Sequence, residues 1–332
     1  MSKKPKGIGW LAFTLWLVAC TDQTERPAPT GFAGLGVSGE GFVQVDPKQG
    51  LSFPADYDMH PDYRIEWWYV TANLTDAQGA EYGAQWTLFR QALSPGQAAT
   101  GWQDGQVWMA HAALTSEHSH GHAERFGRSG GKQAGVVTEP VYRAWLDHWL
   151  LRHIPRPGAA SDDDPFSHVQ VRAQGEDFAF DLVLQTPKPL VLQGEAGYSV
   201  KSNNGQASWY YSQPFYQANG SVTLSTGERV AVTGQAWLDR EWSSQPLAPE
   251  QTGWDWFSLH LNSGVKVMLF RLREQDEPNS FFAGTWVLPD GTSRAMRRDQ
   301  INMVPLERAE VAGRAVPTQW RLQVANEQLD VR

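Results

Sequence analysis

The run Trp237-Leu238-Asp239-Arg240-Glu241-Trp242 places two carboxylates two residues apart. In an extended strand successive side chains alternate, so Trp237, Asp239 and Glu241 share one face while Leu238, Arg240 and Trp242 share the other. Two acids beside an indole raise one pKa where water is excluded. A carboxylic acid kept neutral in this way donates a proton near neutral pH. Asp239 is therefore the leading candidate for a general acid. The alternative is a buried ion-pair cluster, made with Arg240 and Glu241, that fastens two domains together. Glu66, ahead of Trp67-Trp68, poses the same choice between a catalytic carboxylate and a charge that closes the base of a barrel by pairing with Arg90 or Arg271.

His111 stands alone among Met109, Ala110, Ala112 and Ala113. It reads as a hydrogen-bonded core histidine, or as a proton relay if the fold brings it to Glu66 or Asp239. His60 precedes a proline in a loop. His118, His120 and His122 alternate, as a zinc or copper site would require, but with Ser119 and Gly121 between them they read better as a solvated hairpin tip, and no metal site is assigned. Asp162-Asp163-Asp164 lacks the spacing of a calcium cage. No phosphate loop and no His-Glu-x-x-His helix occurs. The 16 Trp in 332 residues are a surplus that suits an aromatic-lined pocket. Trp67, Tyr69, Tyr210, Trp237, Trp254 and Trp256 are the candidate ligand-binding residues.

These side chains need elements to hold them. From Arg64 onward short runs of Val, Thr, Trp, Tyr and Phe alternate with turn signals at Asp76-Ala77-Gln78-Gly79, Asn262-Ser263-Gly264 and Pro289-Asp290-Gly291. The pattern predicts an all-β protein. Tyr142–Arg152 fits either a short helix or a strand over a barrel mouth. Trp67-Trp68-Tyr69, Leu74 and Thr87-Leu88-Phe89-Arg90 are echoed by Trp254-Asp255-Trp256, Leu261 and Met268-Leu269-Phe270-Arg271, the first two at an offset of 187 and the last at 181. Two tandem antiparallel barrels of similar build are expected, with aromatic-lined hollows.

The formal charge is −8 and drops to −11 if a leader carrying Lys3, Lys4 and Lys6 is removed, which argues against nucleic acid as a partner. Those lysines, the apolar run from Gly7 to Ala19 and the ending Leu17-Val18-Ala19-Cys20 resemble the signal peptide and lipobox of bacterial lipoproteins. By that resemblance, Cys20 is lipidated and the protein sits in the cell envelope, on the periplasmic face of the outer membrane. Cys20 is the only cysteine, so the mature body has no thiol for disulfides, zinc or nucleophilic catalysis. The expected organisation is a leader over 1–19, a flexible tether over 20–50, and barrels over 51–212 and 213–332.

The runs His60-Pro61-Asp62-Tyr63-Arg64-Ile65-Glu66-Trp67-Trp68-Tyr69, Met109-Ala110-His111-Ala112-Ala113-Leu114, Tyr210-Tyr211-Ser212-Gln213-Pro214, Trp237-Leu238-Asp239-Arg240-Glu241-Trp242-Ser243 and Gly253-Trp254-Asp255-Trp256-Phe257 resemble a bacterial family of predicted secreted hydrolases related to carotenoid 1,2-hydratase, also called hydroxyneurosporene synthase. The resemblance implies two packed lipocalin-like domains and addition of water to an isoprenoid double bond without a metal or organic cofactor. It carries the acid role to Asp239. Lipocalins also pair a first-strand Trp with a late Arg, which favours the structural role for Glu66. The family continues with a Tyr-Trp-Glu-Gly strand and closing strands that this sequence lacks, so the second barrel is expected to be incomplete. Two functions follow as expectations. One is an envelope lipoprotein that binds a lipid or isoprenoid, working beside an ABC transporter. The other is a hydratase or hydrolase with Asp239 as acid, assisted by His111 or Glu66.

Overall fold

The computed structural model describes residues 39–96, 101–156, 164–245, 247–248, 250–275, 280–311 and 313–332. The expected leader, Cys20 and most of the tether lie outside the described residues. The last part of the expected tether is not free of the body: Phe42 is buried and Val45 packs against the core.

Twenty strands make up the described chain, joined by turns and short 3-10 segments. The first thirteen are β1 (Ile65–Thr75), β2 (Glu81–Ala92), β3 (Gln106–Ser116), β4 (His120–Arg128), β5 (Ala134–Val137), β6 (Arg143–Leu146), β7 (Trp149–His153), β8 (His168–Gln174), β9 (Ala179–Gln185), β10 (Val191–Leu192), β11 (Tyr198–Val200), β12 (Ala207–Thr223) and β13 (Arg229–Ser243). They form one antiparallel sheet in the order β4-β3-β2-β1-β13-β12-β9-β8-β7-β6-β5, with β10 and β11 also on β12, and the sheet curls into a nearly closed barrel. Tyr142–Arg152 is thus a strand hairpin, β6 and β7. The second module holds a sheet of β14 (Gln251–His260), β15 (Lys266–Glu274), β16 (Phe281–Val287) and β17 (Ser293–Arg297). A further sheet of β18 (Ile301–Val311), β19 (Arg314–Val324) and β20 (Leu329–Val331) shares its core. A boundary at 212 would cut β12 in mid-strand. β12 and β13 belong to the first barrel because β13 pairs with β1 along its whole length, Ile65 with Ser243 through Thr75 with Thr233.

The hairpin signals fall where the turns are. Gly79 and Gly264 both take φ +88° between their strands, a conformation open to glycine at little cost. The sequence repeat is a structural repeat, with β1-β2-β3-β4 echoed by β14-β15-β16-β17. Each copy carries an acid–arginine pair in register across its first hairpin, Glu66 with Arg90 and Asp255 with Arg271.

The interior of the first barrel is filled. Trp68, Trp86, Trp108 and Trp149 are fully buried inside it, and three of their indole N–H groups have partners: Tyr142 Oη at 2.6 Å, Ser129 Oγ at 2.6 Å and Gln174 O at 3.0 Å for Trp68, Trp108 and Trp149. This corrects the expectation of a hollow there. Indoles that alternate inward at this density pack as a core.

Candidate active site

The hollow lies between the modules. The outer face of the first barrel and the facing sheet of the second enclose a cavity of about 630 Å³, large enough for a drug-sized ligand. Its floor follows the strand ladder. Ser212, Asp239, Tyr69, Thr87, His111 and Glu124 are directly opposite one another on β12, β13, β1, β2, β3 and β4, and directly opposite residues project to one side. The neighbouring row runs Tyr210, Glu241, Trp67, Phe89, Met109, Phe126. Trp254, Trp256 and Phe270 of the second module form the opposite wall.

Asp239 is 3% exposed and lies at the cavity wall. Tyr210 Oη at 2.9 Å, Trp237 Nε1 at 2.8 Å and the Ser212 hydroxyl all donate to its Oδ1. Burial pushes the carboxyl up, the three donors pull it partly back, and the charge of Glu241 adds to the rise. The resulting pKa is about 7. The alternation argument therefore holds: Asp239 and Glu241 face the cavity with Trp237 beside them. Arg240 points the other way, into the barrel. Trp237 is fully buried and does not line the cavity. It stands behind Asp239 as a hydrogen-bond donor, edge-on to His260 at 5.8 Å, which corrects its expected contact with ligand. Tyr69 meets Trp256 edge-on at 5.7 Å across the modules, and Trp256 Nε1 donates to Tyr210 Oη at 3.3 Å. Trp67, Tyr69, Tyr210, Trp254 and Trp256 all border the cavity.

Glu66 is among the residues bordering the cavity, but its side chain turns into the barrel. Its fully buried carboxylate takes Arg90 Nε at 2.9 Å, Arg240 Nη1 at 2.8 Å and His60 Nδ1 at 2.8 Å inside the barrel end. Burial opposes its ionisation, but the charges of Arg240, His60 and Arg90 outweigh burial and hold the carboxyl far below the usual range. The Arg240 guanidinium lies 3.9 Å over the Trp68 ring, so the expected late arginine on a first-strand tryptophan is present. Arg271, the other expected partner, pairs with Asp255 at 2.8 Å. His60 stacks on Trp242 at 3.8 Å and bridges Glu66 and Asp56, a structural role.

His111 borders the cavity but forms no relay with Asp239. Three strand spacings of about 4.8 Å separate them along the row, and Glu66 belongs to the other face. Burial lowers the His111 pKa, partly offset by Glu124 at 3.9 Å, so the ring is neutral at the far end of the floor. The sequence reading missed Ser212, Lys201 and Ser208. Lys201 Nζ pairs with Glu241 Oε1 at 2.7 Å, and the Ser208 hydroxyl donates to the same oxygen. Among the described residues no group of three or more His, Cys, Asp or Glu is placed to hold a metal ion, and His120 bonds Thr115 on its hairpin at 2.7 Å.

Comparison with known proteins agrees with this architecture. The model of the AttH-like family matches residues 44–332. The crystal structure of a candidate AttH from Nitrosomonas europaea is 32% identical, covers 85% of this chain and 84% of that one, and superposes with a TM-score of 0.72. Kievitone hydratase from Nectria haematococca shares the fold at 13% identity and TM-score 0.60, covering 87% of this chain and 81% of that one. No curated protein sequence matches. The family match across both modules and the Nitrosomonas structure together establish that the chain belongs to the AttH-like family.

Proposed function

We propose that this protein is an acid-catalysed hydratase that adds water to a carbon–carbon double bond of an apolar, isoprenoid-type substrate, with Asp239 as proton donor. The observation that carries the reading is Asp239 itself, a buried carboxyl with its pKa pushed up to about 7 on the wall of an aromatic cavity. All three donors converge on Oδ1, so the proton of the neutral acid belongs on Oδ2. Transfer of that proton to the less substituted carbon uses the π electrons to form a C–H bond and leaves a tertiary cation. Tyr69 and Trp256 border the cavity, and an aromatic face turned toward such a cation stabilises it by about 0.5–2 kcal/mol. Water then closes on the cation and sheds a proton, giving the alcohol. That kievitone hydratase shares this fold is in keeping with the reading.

The same cavity suits a carrier of lipids or isoprenoids, and envelope anchorage through Cys20 and work beside an ABC transporter belong with that alternative. A carrier has no use for a carboxylic acid held neutral in its wall, which favours chemistry. The test is incubation with geraniol, farnesol and squalene in ¹⁸O-labelled water, followed by mass spectrometry. The wild type yields an ¹⁸O-labelled alcohol. Asp239→Asn loses about 10²–10⁴-fold in rate while still binding the isoprenoid, read by tryptophan fluorescence. Binding without turnover, unchanged by Asp239→Asn, makes the protein a carrier and overturns the proposal.

A further inference from the structure

Hydration at Asp239 needs an acceptor for the proton that the water gives up. Resting on the reading above, we infer that Glu241 is the general base that orients and deprotonates the attacking water, with Lys201 and Ser208 as the positioning residues that hold it in place.

Three observations carry this. Glu241 is only 6% exposed, yet it borders the same cavity as Asp239. Its two oxygens are used unequally: Lys201 Nζ and the Ser208 hydroxyl both reach Oε1, and among the described residues no hydrogen bond is made to Oε2. The ammonium is itself fixed, 4.9 Å from the Tyr210 ring centre and 4.4 Å from that of Phe270. With these two donors on Oε1, Oε2 is the oxygen left for a ligand in the cavity that Glu241 borders. A buried carboxylate with one oxygen saturated and the other open is disposed to accept from a bound O–H.

Spacing supplies the third argument. Residues i and i+2 of a strand lie about 6.8 Å apart on one face. A donor within about 3 Å of one alkene carbon, a water about 3 Å from the other and a base within hydrogen-bond reach of that water fill a span of this order. The other titratable candidates do not fit. His111 is three strands away along the row, and Glu66 is committed to Arg90, Arg240 and His60 on the opposite face.

The step balances. The Asp239 proton forms the new C–H bond and leaves a carboxylate. Water oxygen forms the C–O bond as its proton passes to Glu241 Oε2. When the alcohol leaves, solvent returns one proton from Glu241 to Asp239, so the net reaction is alkene plus water.

The two half-reactions can be read separately in D₂O. Protonation alone is reversible, so deuterium enters recovered alkene, whereas the alcohol reports both steps. With whichever of geraniol, farnesol and squalene the wild type converts fastest, Glu241→Gln should lower alcohol formation by at least about 100-fold while recovered alkene still gains deuterium. Asp239→Asn should lose both signals. Ser208→Ala, a mild change beside Glu241, should lower alcohol formation in smaller measure and again spare deuterium uptake. Alcohol formed at the wild-type rate by Glu241→Gln overturns the assignment and leaves the hydratase reading intact. Equal loss of both signals in Glu241→Gln or in Ser208→Ala also overturns it, placing Glu241 in support of the acid step. If the wild type shows neither alcohol nor deuterium uptake with any of the three, the hydratase reading itself falls, and the base with it.

Discussion

The buried carboxyl of Asp239 carries a stability cost. It holds a proton up to about pH 7 in the folded chain, whereas the same group in an unfolded chain releases it near 3.8. Between those values the native state binds the extra proton, so the stabilisation is complete below about pH 4 and lost as pH rises to about 7. Three pKa units at 1.36 kcal/mol each set the loss at about 4 kcal/mol at most. Urea unfolding should therefore show Asp239→Asn gaining on the wild type by up to that amount between pH 4 and 7. A difference independent of pH contradicts the buried, neutral acid. The sequence exposed this residue because alternation along β13 needs no knowledge of the fold: it put Asp239 and Glu241 on one face and Arg240 on the other. It did not expose Ser212, Ser208 or Lys201. They reach the acids through β12 and the segment before it, 27 to 40 positions away, and no local spacing marks them.

At the scale of elements, the turns and the strand repeat were legible because glycine-bearing turn residues and alternation are local signals. The module boundary was not. The final two strands of the first barrel, β12 and β13, pair with β9 and with β1, and that long-range closure leaves no mark in composition. The closure is tight at Gly234, where an added Cβ would lie 2.0 Å from the Asn73 carbonyl oxygen of β1. Gly234→Ala must move backbone in the ladder that sets Asp239 opposite Tyr69. It should lower unfolding free energy by about 1–3 kcal/mol and reduce hydration beyond what stability alone explains. Wild-type stability in that variant would show that β1 and β13 do not approach so closely.

For the whole molecule, the duplication does more than build two similar modules. Tyr69 and Trp256 hold equivalent positions in the repeat, 187 residues apart, and they face each other across the cavity. The sequence pattern shows which residues share a face but not what that face meets, so the ligand site was expected between or within the barrels, and the cavity lies between them. Hairpin strands with two apolar faces, one inward to Trp68 and one outward to Trp67 and Tyr69, make both outcomes compatible with alternation. An inter-module cavity predicts that Trp256→Ala weakens farnesol binding by about 1–2 kcal/mol, several-fold to tenfold or more in Kd by fluorescence titration, with little change in unfolding of the first barrel. Unaltered affinity would place the ligand elsewhere. The most direct test of a neutral acid at this interface is the pH dependence of hydration. With Asp239 as donor, kcat falls tenfold per unit as pH rises above about 7, and Asp239→Asn has no such dependence because it has lost the rate. A rate that rises through pH 7, or one that Asp239→Asn retains, contradicts the account.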